Sequence, residues 1–342
     1  MIFRSKAPLR IGLAGGGTDV SPYSDEYGGA ILNATINYFA YCSIKLLDGD
    51  KVILNSYDQK QRVELDTSST PLKMDGTLDL LKGVYNRIVK DFIKRPVSLE
   101  LTTFVDAPPG SGLGSSSTLV VAIIGSFVEC FKLPLGEYDI AHLAYEIERV
   151  DLKMAGGKQD QYAATFGGFN YMEFYKDNKV IVNPLRVKPQ YINELEHNLI
   201  LYYTGTSRLS SKIIESQMAN VKSKSLKSIE SMDKLKEQAV LMKEAILKGN
   251  IDEIGGILNY GWKHKKNMAE DISNSVIDDI YDAALKAGAT GGKLSGAGGG
   301  GFMIFYCKEN MKYEVESVLG EIGGVVKRFQ FVPDGLSTWA SN

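Results

Sequence analysis

The segment Pro108–Ser117 reads PPGSGLGSSS and runs without a break into the apolar stretch TLVVAIIGSFVECF. Three glycines and four serines ahead of a helix-length hydrophobic run predict a donor-rich turn feeding the start of a buried helix. Such a start is an anion site. The first backbone N–H groups of a helix lack partners within it, the helix dipole adds partial positive charge, and glycines let a phosphate approach the backbone. The hydroxyls of Ser115, Ser116 and Ser117 can cap the helix, meet phosphate oxygens or ligate a metal. Taken alone, the segment reads first as a Gly/Ser turn with a serine cap, so the rest of the chain has to decide.

Two further Gly-rich segments change the balance: AGGGTD at 14–19 and GATGGKLSGAGGGG at 288–301, the latter ahead of the apolar strand pattern FMIFY. A backbone stripped of side chains can lie close against a ligand or another backbone. Other phosphate-binding schemes are absent. Lys293 is followed by Leu294, which breaks GxxxxGK[ST]; HRD and DFG signatures are missing, and no strand leads into GxGxxG. The formal charge of −2 points away from nucleic acid or an anionic membrane surface as partner. No apolar run approaches a bilayer span, and the N-terminus does not read as a signal peptide. Cys42, Cys130 and Cys307 are too few and too scattered for a disulfide framework or zinc site. A cytoplasmic protein is expected.

At 342 residues the chain is long for one core, so two domains are expected, 1–188 and 189–342, with the crossover near Pro184–Asn193. Alternation over 41–46, 51–54, 62–65 and 99–105 predicts antiparallel strands with one wet face. Helical spacing marks 79–92, 136–149, a short piece between Gly157 and Gly167, the stripe Leu226 to Ile246 ending at Gly249, Ser275–Ala287, and 312–319. Strands are expected at NYMEFY, HNLILYYTG and Val325–Val332. Strands and helices come in groups, which favours α+β over a doubly wound sheet. The second half reads strand, helices, hairpin, helix, strand.

The three Gly-rich segments resemble the motifs of the GHMP kinases in their order and spacing. PPGSGLGSSST is similar to the PxxxGLGSSA phosphate loop, RSKAPLRIGLAGGGTD to the N-terminal substrate motif, and GGKLSGAGGGGF to the C-terminal Gly-rich motif. APLRIGLAGGGTD, GGAILNATI, YTGTSRLSS and GWKHKKNMA are most similar to the heptose 7-phosphate kinases within that family. The resemblance implies a two-domain α+β fold, ribosomal-protein-S5-like then ferredoxin-like, with ATP and substrate in the cleft between the halves. The implied reaction is ATP- and magnesium-dependent phosphorylation of the anomeric C1 hydroxyl of D-glycero-D-manno-heptose 7-phosphate, for nucleotide-activated heptose and surface glycans. Another anomeric sugar kinase, for L-fucose or a free hexose, and an inactive sugar and ATP sensor are the alternatives.

Carried over residue by residue, the resemblance implies that Gly110, Ser111, Gly112, Leu113, Gly114, Ser115, Ser116 and Ser117 wrap the ATP phosphates. Ser116 and Glu148 would hold magnesium, with Glu146 the less favoured acid. Asp160, in GGKQDQ, matches the candidate base of galactokinase-type GIMDQ, and Arg10 matches the basic residue that steadies the nucleophile or phosphoryl group. Gly16, Gly17, Thr18, Asp19, Gly296, Ala297 and Gly298 would face the sugar. Galactokinases carry GEHTD where this chain has GGGTD, so the volume over Gly16 and Gly17 is expected to admit a longer sugar. Lys158, Arg208 and Lys212 are candidates for its distal phosphate.

Overall fold

The protein is described by a computed structural model covering residues 1–206 and 210–342. β1 (Ile2–Ala14) is followed by the short helix α1 (Tyr23–Tyr27) and by β2 (Gly29–Leu46), whose length organises the first sheet. β1 pairs antiparallel along most of β2. On the other edge of β2, Ala40–Leu46 pairs with β5 (Leu99–Val105), beside which lie β3 (Lys51–Ser56) and β4 (Gln61–Asp66). Gly29–Ala34 instead pairs with β6 (Phe169–Phe174), which carries β7 (Val180–Pro184). Among the described residues only β3 and β5 pair in parallel. The expected period of two holds in β3 and β5, where Val52, Leu54, Leu99 and Leu101 are buried.

Helices α2 (Asp79–Ile88), α3 (Ser115–Phe131), α4 (Glu137–Glu146) and α5 (Gln159–Phe166) accompany this sheet. α3 is apolar nearly all round, and every residue from Ser117 to Phe127 is buried, as a helix enclosed on all sides requires. Leu119, Val120, Val121, Ile123, Ile124 and Phe127 each contribute about 1.5–3 kcal/mol on burial, which fixes where the helix starts.

The second half runs α6 (Pro189–Asn198), β8 (Leu199–Tyr203), α7 (Ser210–Lys222), α8 (Leu226–Lys248), α9 (Ile254–Lys265), α10 (Ser275–Lys286), β9 (Ala289–Leu294), β10 (Phe302–Cys307), α11 (Met311–Ile322) and β11 (Val325–Lys327). Its sheet has the antiparallel order β11-β8-β10-β9, the ferredoxin-like arrangement. β12 (Ser337–Ser341) then returns to pair with β1, so the last residues of the 189–342 stretch lie in the first sheet. One buried cluster links Leu9, Ile11 and Val121 to Met242 in α8 and to Leu201 and Ile304, so the two halves share a core.

Several boundaries differ from expectation. The strand expected over Val325–Val332 stops at Lys327; beyond it Phe331 makes a single bridge to Ile36 as the chain crosses back ahead of Pro333. Leu226 opens α8 and is 74% exposed, because the first turn projects past the packed stripe of Met232, Leu235, Ala239, Met242 and Ile246. Gly249, with φ of 80°, ends α8 in the left-handed region. α7 and β12 had no clear pattern in the sequence. Among the described residues no helix is long and apolar enough to cross a membrane.

Candidate active site

Packing of α3 leaves its N-terminus at the bottom of a cleft. Gly114 is the N-cap, with φ of 79°, and no side chain caps the helix. The serine hydroxyls expected as caps therefore serve elsewhere. Thr118 N–H donates to the Gly114 carbonyl at 3.0 Å, leaving the N–H groups of the preceding turn for a ligand. The third Gly-rich segment lies directly against this loop. A Cβ on Gly112 (φ +83°) would stand 2.4 Å from the Ser295 carbonyl oxygen, and one on Gly296 would stand 2.6 Å from Gly112 Cα. Both glycines are needed for that backbone contact. Ser295 Oγ donates to the Gly112 carbonyl at 2.9 Å and Phe302 N–H to Ser111 O at 2.9 Å.

The three segments enclose a cavity of about 510 Å³. Of the phosphate-loop candidates, Gly110, Gly112, Gly114, Ser115, Ser116 and Ser117 line it. Ser111 and Leu113 are buried behind the wall; Leu113 packs in the core and its carbonyl accepts from Arg10 N–H at 3.1 Å. Gly16, Gly17, Asp19, Gly296 and Ala297 also line it. Thr18 does not: its hydroxyl donates to the Gly15 and Ala30 carbonyls and braces the loop from below. Gly298 turns away as well, packed against Ile272. The volume expected over the glycine pair is partly filled from within. A Cβ on Gly17 would meet Met268 Cε at 2.5 Å, and one on Gly16 would lie 3.7 Å from Lys265 Nζ.

Arg10 and Asp160 form the centre of one wall. Arg10 is 3% exposed; its Nε and Nη2 donate to Asp160 Oδ1 at 2.7 and 2.6 Å, and Nη1 donates to the Gly112 carbonyl at 2.6 Å. Both ion-pair contacts fall on one carboxylate oxygen. Asp160 thus stands in the first turn of α5, beside Gly114, with Oδ2 left over. Next to this pair Ser116 Oγ donates to Glu148 Oε1 at 3.0 Å, while Gln161 Nε2 holds Glu148 Oε2 and also donates to Ser117 Oγ. Glu148 lies in a π-helical turn, Ile147–Asp151, that extends α4 and buries its carboxylate to 1% exposure. Glu146, the other candidate acid, is engaged by Arg87 outside the cavity.

Asp19 has a structural duty that its motif did not announce. Its Oδ2 accepts from Lys158 N–H at 2.8 Å and Gln159 N–H at 3.0 Å, at the start of the helix that carries Asp160. Burial pushes its carboxyl above the usual aspartate range; the two N–H donors pull it down and the nearby Asp160 charge pushes it up again. Lys158 lines a smaller lobe beside the main cavity and not the main cavity itself. Its ammonium is buried against Asp25 at 3.0 Å and Ser24 at 3.4 Å, outside the main cavity, because the Asp19-bound turn directs it backwards. Lys212 is exposed and lines no cavity, and Arg208 lies outside the described residues.

Two buried lysines were missed. Lys265, at the end of α9, is 3% exposed, lines the cavity and donates to the Gly296 carbonyl. Burial, with the Arg10 charge close by, lowers it to about 8. Lys293 in β9 donates to the Gly12 carbonyl at 2.7 Å and is pulled well below the usual lysine value by burial and by Lys265 and Arg10. The signal for Lys265 was present: Leu258, Trp262 and Lys265 recur on one helical face, and a lysine on a buried stripe needs a reason.

An uncapped helix start, a carboxylate held through one oxygen and a buried Ser–Glu pair make a site for moving a phosphoryl group between two bound molecules. Comparisons with known proteins agree. The GHMP kinases N terminal domain matches residues 79–168, and the GHMP kinases C terminal domain matches 242–321. The D-glycero-alpha-D-manno-heptose 7-phosphate kinase of Campylobacter jejuni is 47% identical over 336 residues, 98% of each chain. The crystal structure of a D-glycero-D-manno-heptose 1-phosphate kinase from Bacteroides thetaiotaomicron superposes with a TM-score of 0.85, at 46% identity over 99% of each chain. Galactokinase of Lactococcus lactis, at 20% identity, shares the fold with a TM-score of 0.79 over 98% of this chain and 95% of its own. With full-length identity to a heptose phosphate kinase and both halves matched in order, the chain belongs to the GHMP kinase family.

Proposed function

We propose that the protein transfers the γ-phosphoryl group of ATP to the anomeric C1 hydroxyl of D-glycero-D-manno-heptose 7-phosphate, giving the 1,7-bisphosphate and ADP. The product would feed nucleotide-activated heptose into surface glycans, and the enzyme would work in the cytoplasm. The observation that carries this reading is the Arg10–Asp160 pair set directly beside the uncapped start of α3 in the wall of one cavity. The 47% identity to a heptose 7-phosphate kinase supports the choice of sugar.

In this reading the N–H groups at Gly114–Ser117 hold the ATP phosphates. Asp160 Oδ2, free of Arg10, accepts the proton of the C1 hydroxyl. An anomeric hydroxyl is more acidic than an ordinary alcohol, which suits an unassisted carboxylate. The sugar oxygen then bonds to the γ-phosphorus, the bond to the β,γ-bridging oxygen breaks, and ADP leaves with that electron pair. Arg10 fixes the carboxylate and places a permanent positive charge beside the reacting oxygens.

Ser116 and Glu148 suit magnesium. They offer oxygen donors only, with one buried carboxylate whose second oxygen Gln161 orients. No group of three or more metal-binding side chains occurs among the described residues, which fits an ion completed by phosphate and water. When bound, the ion would neutralise charge on the phosphates.

The test is phosphorus NMR of enzyme with ATP and either heptose 7-phosphate or the unphosphorylated heptose. A new phosphate on C1, formed faster from the phosphorylated sugar, is expected. Transfer to another hydroxyl, or equal use of L-fucose or a free hexose, would overturn the assignment.

A further inference from the structure

The main cavity opens into a side lobe of about 360 Å³. The two share Asp19, Arg149, Lys153, Met154, Ala155, Gly156 and Glu215, while Ser21, Tyr145, Lys158 and Met218 line the lobe alone. No residue of Gly110–Ser117 reaches this lobe, so it lies apart from the nucleotide loop and beside the segment proposed to face the sugar.

Of the basic side chains around the two cavities four are already engaged, Lys158 among them although it lines the lobe. Arg10 is bound to Asp160 and Gly112, Lys265 to the Gly296 carbonyl, Lys293 to the Gly12 carbonyl and Lys158 to Asp25. Arg149 and Lys153 remain. Arg149 is fixed in place: Nε donates to the Gly157 carbonyl at 3.2 Å, and the guanidinium lies so close to the backbone that a Cβ on Gly156 would fall 2.3 Å from Cζ. Its Nη1 stands 3.7 Å from Glu148 Oε1, a long contact that leaves donors to spare. Lys153 forms none of the ion pairs found among the described residues. Its backbone is left-handed, with φ of 54°, a costly state for lysine, and is held there by Met154 N–H donating to the Glu148 carbonyl at 2.8 Å.

We infer that this side lobe is the subsite for the terminal phosphate of the sugar acceptor, with Arg149 and Lys153 as its ligands. The inference rests on the sugar-phosphate reading above. Asp160 takes C1 at one end of the cavity, the ring crosses Asp19 and Gly156, and the phosphate arm ends in the lobe. Of the carboxylates nearby, Asp19 is occupied by two backbone N–H groups, and Glu215 of α7 lines both the lobe and the main cavity.

The test compares kcat/KM for D-glycero-D-manno-heptose 7-phosphate with that for the unphosphorylated heptose in the wild type, Lys153→Met and Lys153→Arg. Lys153 is exposed, so the variants should fold, and circular dichroism checks this. Lys153→Met is expected to cut the preference for the phosphorylated sugar by about 10- to 100-fold, the worth of a charge-assisted contact, and Lys153→Arg to restore most of it. A wild type that prefers the phosphorylated sugar and a Lys153→Met variant that keeps the preference would overturn the subsite alone. A wild type indifferent to the phosphate would overturn the substrate reading and the subsite with it.

Discussion

Replacing Lys265 by methionine should make the protein more stable and less active. The lysine is 3% exposed, lines the cavity beside Arg10, and is lowered from 10.5 to about 8. That difference of about 2.5 units corresponds to about 3 kcal/mol of destabilisation while the side chain is charged, at about 1.4 kcal/mol per unit. Methionine removes this cost but also the charge-assisted hydrogen bond to Gly296, worth about 1.5–3 kcal/mol, so the net gain at pH 7 is up to about 1.5 kcal/mol. Between pH 8 and 10.5 the unfolded lysine holds a proton that the folded one has released, so wild-type stability rises with pH through that window. The advantage of the variant should therefore shrink to below about 1 kcal/mol at pH 9.5. Urea unfolding at pH 7 and pH 9.5 reads both values, and kcat/KM at pH 7 should fall at least about tenfold because a fixed cation has left the site. A variant less stable than wild type at pH 7, or an advantage that does not change with pH, would refute a charged lysine buried in this wall.

Glu148→Gln removes the one buried carboxylate beside Ser116, so the magnesium concentration for half-maximal rate should rise about tenfold or more; an unchanged requirement would remove Glu148 from the metal site. Gly112→Ala adds a Cβ 2.4 Å from the Ser295 carbonyl at a φ of +83°. The left-handed backbone alone costs about 1–2 kcal/mol, so both melting temperature and ATP affinity should drop, and a variant matching wild type in both would contradict the contact between the two Gly-rich segments.

Local periodicity made most of the architecture legible. The run after Ser117 is apolar on all sides and became the enclosed helix α3, and the second half kept its strand, helices, hairpin, helix, strand order. What escaped depends on distant partners. β12 has an unremarkable sequence and is a strand because the edge of β1 is open to it, and the π turn that buries Glu148 adds one residue per turn with no compositional mark. At the site, residues defined by backbone geometry were readable, since glycines and a helix start announce themselves, and Arg10, Asp160, Ser116 and Glu148, singled out from the motifs, line one cavity. Side-chain direction was not. Lys158 follows Gly157 and precedes Asp160 by two residues, yet Asp19 grips its N–H and sends its ammonium toward Asp25. Gly16 and Gly17 did remove side chains, but part of the space went to Lys265 and Met268 from α9 and the loop after it.

The most direct test of the account is a single-turnover experiment with Asp160→Asn, ATP, magnesium and heptose 7-phosphate, read beside the ATP dissociation constant of the same variant. Asparagine keeps the shape and an oxygen for Arg10 but cannot take the proton of C1, so transfer should slow by about 10²–10⁴-fold while ATP affinity stays within about twofold. Transfer at the wild-type rate would contradict the assignment of Asp160 as the base beside the phosphate loop.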